Sequence, residues 1–296
     1  MKKHKFFPLA LTPIAVSILI MNTKAVLAFN ITSSPNSSDF LDAILGDTMG
    51  LNNFEISASG NPMAFGLFQD DPFGLDSGVV LSTGKVEDLP GVNTLDGTQL
   101  DSEGIPLRDL STNFNGTCVP ISETFSCEST TVNISFDVDD KIEKVFFNYI
   151  FGSEEFVEFG GKKFNDSFEL LLNGQNLAKL SDGQAVSINN LIPNSEDVMS
   201  FHSDYINNPV GSQTQTKLDG YTQTLGFEGI LNKNERNTLT IQITDIGDNQ
   251  FDSAVFIQGR TLGTRPTPVT AVPEPNLWLG YLSLGAIAYL YKQRNL

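Results

Sequence analysis

The chain has 296 residues, with 18 Lys and Arg against 35 Asp and Glu, a formal net charge of −17, two histidines and two cysteines. So acidic a surface repels nucleic acid and anionic lipid, and so few His and Cys leave no ordinary zinc site and no histidine-based catalytic constellation. No glycine-rich phosphate loop stands between a strand and a helix, so nucleotide binding has no support.

The first 28 residues read as a secretory signal. Met1 to Lys5 form a basic start, Phe6 to Met21 an apolar run, and Val26, Leu27 and Ala28 supply the small residues that signal peptidase reads, with cleavage after Ala28. Pro8 and Pro13 interrupt the run, which is short for a membrane span. Without this segment and the last 25 residues, the body (29–271) keeps 12 basic and 34 acidic groups, a net of −22.

Phe29 to Pro35 is polar and is expected to be a flexible start. Ser38 then caps a short helix carrying Phe40, Leu41, Ile44 and Leu45 at helical spacing, stopped by Gly46. Phe54 to Ser59 alternates as a half-buried strand does, and Ala64 to Phe68 is a further short strand. The apolar run Gly78 to Leu81, bounded by Gly74 and Gly84, suits a buried strand. Residues 85 to 128 read as a long irregular excursion. It carries Cys118 and Cys127, the only cysteines, expected to form one local disulfide in an exported chain.

Val132, Ile134, Phe136 and Val138 alternate with polar residues, predicting a half-buried strand. Val145 to Phe151 is apolar on both faces, predicting a central strand covered on both sides. Phe168 to Leu172 has the same two-sided character, and Asn173-Gly174 signals a hairpin into Asn176 to Leu180. Ala185 to Ile188 is read as a short strand and 190 to 217 as a second long loop around His202. Tyr221 to Phe227, Thr238 to Thr244 and Ala254 to Ile257 complete the strands. The expected fold is mainly β: one antiparallel, jelly-roll-like sandwich over residues 29–262, with a single short N-terminal helix and long loops. A Pro- and Thr-rich spacer follows over 263–271.

Two acidic groups sit where strands should converge. One is Glu154, Glu155, Glu158 and Asp166, with Asn165, in the turn after Phe151; the other is Asp245, Asp248 and Asp252 in DIGDNQFDS. Hard oxygen donors of this kind suit Ca2+, although the spacing is not that of an EF-hand. They could also cap turns and face water. A glycosidase could use two such carboxylates, but nothing singles out a pair.

The early helix, GLDSGVVLSTG, the FGSEE turn, FNDSFELLLNG and DIGDNQFDSAVFIQG together, in this order, resemble the choice-of-anchor L domain across roughly Ser37 to Leu262. The resemblance implies an exported protein found with varying anchoring tails; it carries over no active site.

At the C-terminus, Val272-Pro273-Glu274-Pro275 precedes an uncharged apolar run from Leu277 to Tyr291 and then Lys292 and Arg294. As a helix the run would reach only ~22 Å, against a hydrocarbon core of ~30 Å. This order resembles the PEP-CTERM sorting signal of Gram-negative bacteria that make exopolysaccharide. It implies recognition of Pro273, Glu274 and Pro275 by an exosortase-like enzyme, a transient stay in the inner membrane and removal of the tail; a permanent anchor is the alternative. The expected function is a non-enzymatic structural or binding module of the cell surface or matrix, with extracellular polysaccharide or a surface protein as partner. A secreted carbohydrate-active hydrolase is the second class.

Overall fold

The computed structural model describes residues 28–114, 118–121, 124–211, 213, 215–247 and 250–268. The signal segment before Ala28 and the sorting tail lie outside them. Among the described residues no helix is long and apolar enough to cross a membrane.

In chain order the elements are β1 (Asn30–Ser33), α1 (Ser37–Ile44), β2 (Leu51–Ser59), β3 (Phe65–Gln69), β4 (Ser77–Ser82), β5 (Val119–Ile121), β6 (Thr124–Val138) and β7 (Lys144–Ser153). They continue with β8 (Ser167–Leu172), β9 (Gln175–Asn176), α2 (Ile188–Leu191), β10 (Tyr205–Asn207), β11 (Gly220–Thr222), β12 (Leu225–Ile230), β13 (Arg236–Ile246) and β14 (Ser253–Gln258). They build two antiparallel sheets. The first runs β1-β3-β4-β14-β7-β11-β10, with β12 also on β7; the second runs β2-β6-β13-β8-β9, with β5 on β6. The expected mainly-β sandwich is therefore what the chain forms.

Alternation explains how the sheets face each other. Ile134 and Phe136 of β6, Ile241 and Ile243 of β13, and Phe168 and Leu170 of β8 meet Phe147, Tyr149 and Phe151 of β7 and Val255 and Ile257 of β14 in one core. The opposite face of the first sheet is also dry. Val80, Ile150 and Phe256 pack there with Phe68, Phe73, Leu89 and Leu110 in a second core. Leu89 and Leu110 belong to the segment 83–114, which lies over this face as a cover. That is why β7 and β14 are apolar on both sides, as their sequences predict.

Several expectations need correction. The polar start is an edge strand, β1, because Phe29 and Ile31 alternate into the second core. The cap of α1 is Asn36, whose Oδ1 accepts the Ser38 N–H at 3.3 Å. β8 is one-sided: Phe168, Leu170 and Leu172 are buried while Glu169 and Leu171 face outward, since among the described residues nothing covers the second sheet on that side. Ala185 to Ile188 makes only isolated bridges before α2, and residues 190–217 hold the end of α2, a 3-10 turn and β10. The single strand read over Tyr221 to Phe227 divides into β11 and β12, which share one edge of β7; Thr222 Oγ1 accepts the Phe151 N–H at 3.1 Å at the break.

Cys118 and Cys127 are bonded to each other across the β5–β6 hairpin. At the other end Gly263 exchanges backbone bonds with Phe146 and Leu262 with Ile44 and Gly46. Beyond them Thr264 Oγ1 reaches the Asp47 and Met49 carbonyls, Arg265 pairs with Asp47, and Asn148 Nδ2 reaches the Thr267 carbonyl at 3.4 Å. The first residues of the spacer are docked on the body.

Candidate functional site

β7 ends at Ser153, and the register there decides which acidic side chains meet just beyond the strand. Ser153 is opposite Ser253 of β14 on one side and Gly220 of β11 on the other. In antiparallel pairs the residue leaving one strand runs beside the residue entering its neighbour, so Glu154 arrives between Asp252 and Asp219. Backbone bonds hold this arrangement: the Glu154 N–H donates to the Asp252 carbonyl and the Asp219 N–H to the Ser153 carbonyl, each at 3.1 Å. Glycine makes the room. A Cβ on Gly84 would lie 1.9 Å from Asp252 Oδ2, and one on Gly220 2.5 Å from the Tyr205 ring.

The side chains differ in how well they are supplied with donors. Asp252 accepts from the Thr112 N–H and hydroxyl, both at 3.0 Å, yet burial still pushes its carboxyl up to about 7. Glu154 Oε1 accepts the Asp109 N–H at 2.6 Å, whereas Oε2 is buried without a hydrogen-bond partner. Asp219 Oδ1 accepts from Asn93 Nδ2 at 2.6 Å, and its Oδ2 is likewise buried and unpartnered. Burial raises the pKa of both, reinforced for Glu154 by Asp109 and Asp252 and for Asp219 by Glu154, Glu158 and Asp96. Glu158, half-buried at the rim, is raised by burial and by Asp96. Asn93 gives its amide hydrogens to Asp219 and the Asn208 carbonyl and keeps an unpartnered, buried Oδ1.

A family model for the choice-of-anchor L domain matches residues 29–263, nearly the whole described body. The chain belongs to the choice-of-anchor L domain family. Membership points to an extracellular, surface-associated module. No curated protein and no solved structure matches the chain.

Within this choice-of-anchor L domain the acids singled out from sequence take different parts. Glu154 and Asp252 are neighbours. Asp166 is structural: its Oδ1 accepts the Ile246 N–H at 2.9 Å and its Oδ2 lies 2.6 Å from Ser253 Oγ, which is 2.9 Å from Ser153 Oγ. With one proton on each hydroxyl, Ser253 donates to Asp166 and accepts from Ser153. Glu155 is buried beside this network, its N–H on Ser153 Oγ at 2.9 Å, and Asp245 is buried near the end of β13. Asp248 lies outside the described residues. Among the described residues no three Asp, Glu, His or Cys side chains converge closely enough to hold a metal ion.

The residues sequence reading overlooks are Asp219 and Asn93. Asp219 stands in an ordinary Asp-Gly pair and Asn93 in the covering segment; only the pairing of β11 with β7 brings them to Glu154. His202, in the segment read as a long loop, is mostly buried: its Nδ1 accepts the Asp204 N–H at 3.1 Å and its Nε2 lies 3.3 Å from Asp182.

Proposed function

We propose that this chain is a non-enzymatic structural or binding module of the bacterial cell surface or extracellular matrix. A removable tail sorts it there, and extracellular polysaccharide or a surface protein is its partner. What carries this reading is the order of parts: a choice-of-anchor L domain over residues 29–263, a docked spacer, then Pro273-Glu274-Pro275, a short apolar run and a basic end. A hydrolase reading receives less support. A glycosidase pair must meet a sugar in an open cleft, and Glu154 and Asp219 are closed off by the covering segment.

Intact mass of the protein extracted from the cell surface tests the sorting step, with a mature form lacking residues 277–291 expected. A mature form that retains them favours a permanent anchor. Pull-down on the producer's own exopolysaccharide, run beside a turnover assay, tests the binding role; retention without release of sugar is expected.

A further inference from the structure

We propose that Glu154, Asp219 and Asn93 bind a Ca2+ ion that fastens the covering segment 83–114 to the end of the first sheet. Glu154 Oε2, Asp219 Oδ2 and Asn93 Oδ1 are buried in residues exposed by only 1%, 3% and 0%, and none has a hydrogen-bond partner. A buried acceptor without a donor or a cation is costly, and these three side chains from segments distant in sequence are neighbours, Asn93 bonded to Asp219 and Asp219 under the charge of Glu154.

The Leu110 N–H also faces the Glu154 carboxyl, and the other donors at hand are already committed. Asn93 Nδ2 serves Asn208 and Asp219, and the Asp109 N–H serves Glu154 Oε1. The charges that act most strongly on Asp219 are those of Glu154, Glu158 and Asp96, and among the described residues Glu154 and Asp219 form no ion pair with Lys, Arg or His.

The donor set is all oxygen, which suits a hard cation and not zinc or copper. Two buried carboxylates neutralise its charge and the Asn93 amide adds a neutral oxygen. Ca2+ completes six to eight oxygens with backbone carbonyls and water. A site of two acids and one amide is compatible with the finding that no three acidic, His or Cys side chains converge. Because Asn93 belongs to the covering segment while Glu154 and Asp219 adjoin strands β7 and β11, the ion would join cover to sheet. The site is independent of where the tail takes the chain.

Full-length chain stripped with EDTA and titrated with CaCl2 should bind one ion and gain about 5 °C or more in Tm at saturating Ca2+. NaCl of equal ionic strength should move it by no more than about 1 °C. Tb3+ should luminesce when excited through the tyrosines, Tyr205 lying beside these carboxylates, and Ca2+ should displace it. The double variant Glu154→Gln, Asp219→Asn should lose both responses. If that variant does not fold, tryptic cleavage of wild type at Arg108 decides, with at least about tenfold slower cleavage in Ca2+ expected. A wild type without a specific Tm shift or Tb3+ signal, a double variant that keeps them, or an unchanged cleavage rate overturns the proposal.

Discussion

Asp204 and Asp219 make an instructive pair. Each is a buried carboxylate immediately before a strand, and the two strands, β10 and β11, are neighbours. Asp204 accepts from the Ser181 N–H at 2.6 Å, the Ser181 hydroxyl at 2.8 Å and Gln223 Nε2 at 2.5 Å, so both oxygens are served. Asp219 has one donor, Asn93, and one oxygen with none. Burial alone therefore does not mark a functional acid. What separates a turn staple from a ligand-seeking group is the number of donors the fold supplies.

The widest gap between the two should appear on truncation. Asp204→Ala strands three donors and should lower stability by about 4 kcal/mol in urea unfolding; a loss below about 1 kcal/mol would dissolve the contrast. Next in size is Gly84→Ala, whose Cβ evicts the Asp252 carboxylate from both Thr112 bonds. It should lower stability by about 3 kcal/mol, read the same way.

A smaller effect sits in the pH profile of Asp252. Burial keeps it protonated up to about 7 in the folded chain, against 3.8 for an unperturbed aspartate. The folded state holds this proton more tightly, so stability falls as pH rises from about 4 to about 7 and then levels. Between pH 5 and 7.5 in EDTA, wild type should lose about 2.5 kcal/mol more than Asp252→Asn. Equal losses would mean that the carboxyl ionises normally in the fold.

The smallest change is expected for Asp219→Asn in EDTA, within about 1 kcal/mol of wild type, because the amide oxygen can still accept from Asn93 and one of the mutually repelling acids is removed. The same exchange at Asp204 should cost about 2 kcal/mol, since an amide nitrogen then faces donors. If both exchanges cost alike, donor supply is not what distinguishes the two sites.

Much of the sandwich was legible from alternation alone. Val132 to Val138 reads as one-sided and Val145 to Phe151 as two-sided, and the fold uses them so, because apolar period follows directly from which faces are dry. Phe168 to Leu172 misled, since Leu171 looks as apolar as its neighbours but faces outward, and one sequence does not say which sheet carries a cover. The acidic end was half legible. FGSEE and FDS advertise Glu154 and Asp252, whereas Asp219 and Asn93 join them only through register and a long crossing segment, for which local sequence holds no signal. The edge strand β1 was missed because two alternating apolar residues, Phe29 and Ile31, are too short a pattern to count.

The docked spacer sets how the domain would bear a mechanical load. A pull on the chain beyond residue 268 enters at Thr267 and meets first the single bond from Asn148, then the Thr264 and Arg265 contacts with the Asp47 turn. Behind these stands the Gly263–Phe146 pair, joined to the end of α1 through Leu262, Ile44 and Gly46. Tension is thus divided between β7, an interior strand of the first sheet, and the first helix before β14 carries any of it. The weak outer bonds can break and re-form while the sandwich stays closed, so a pull on this end would meet a short reversible extension ahead of unfolding.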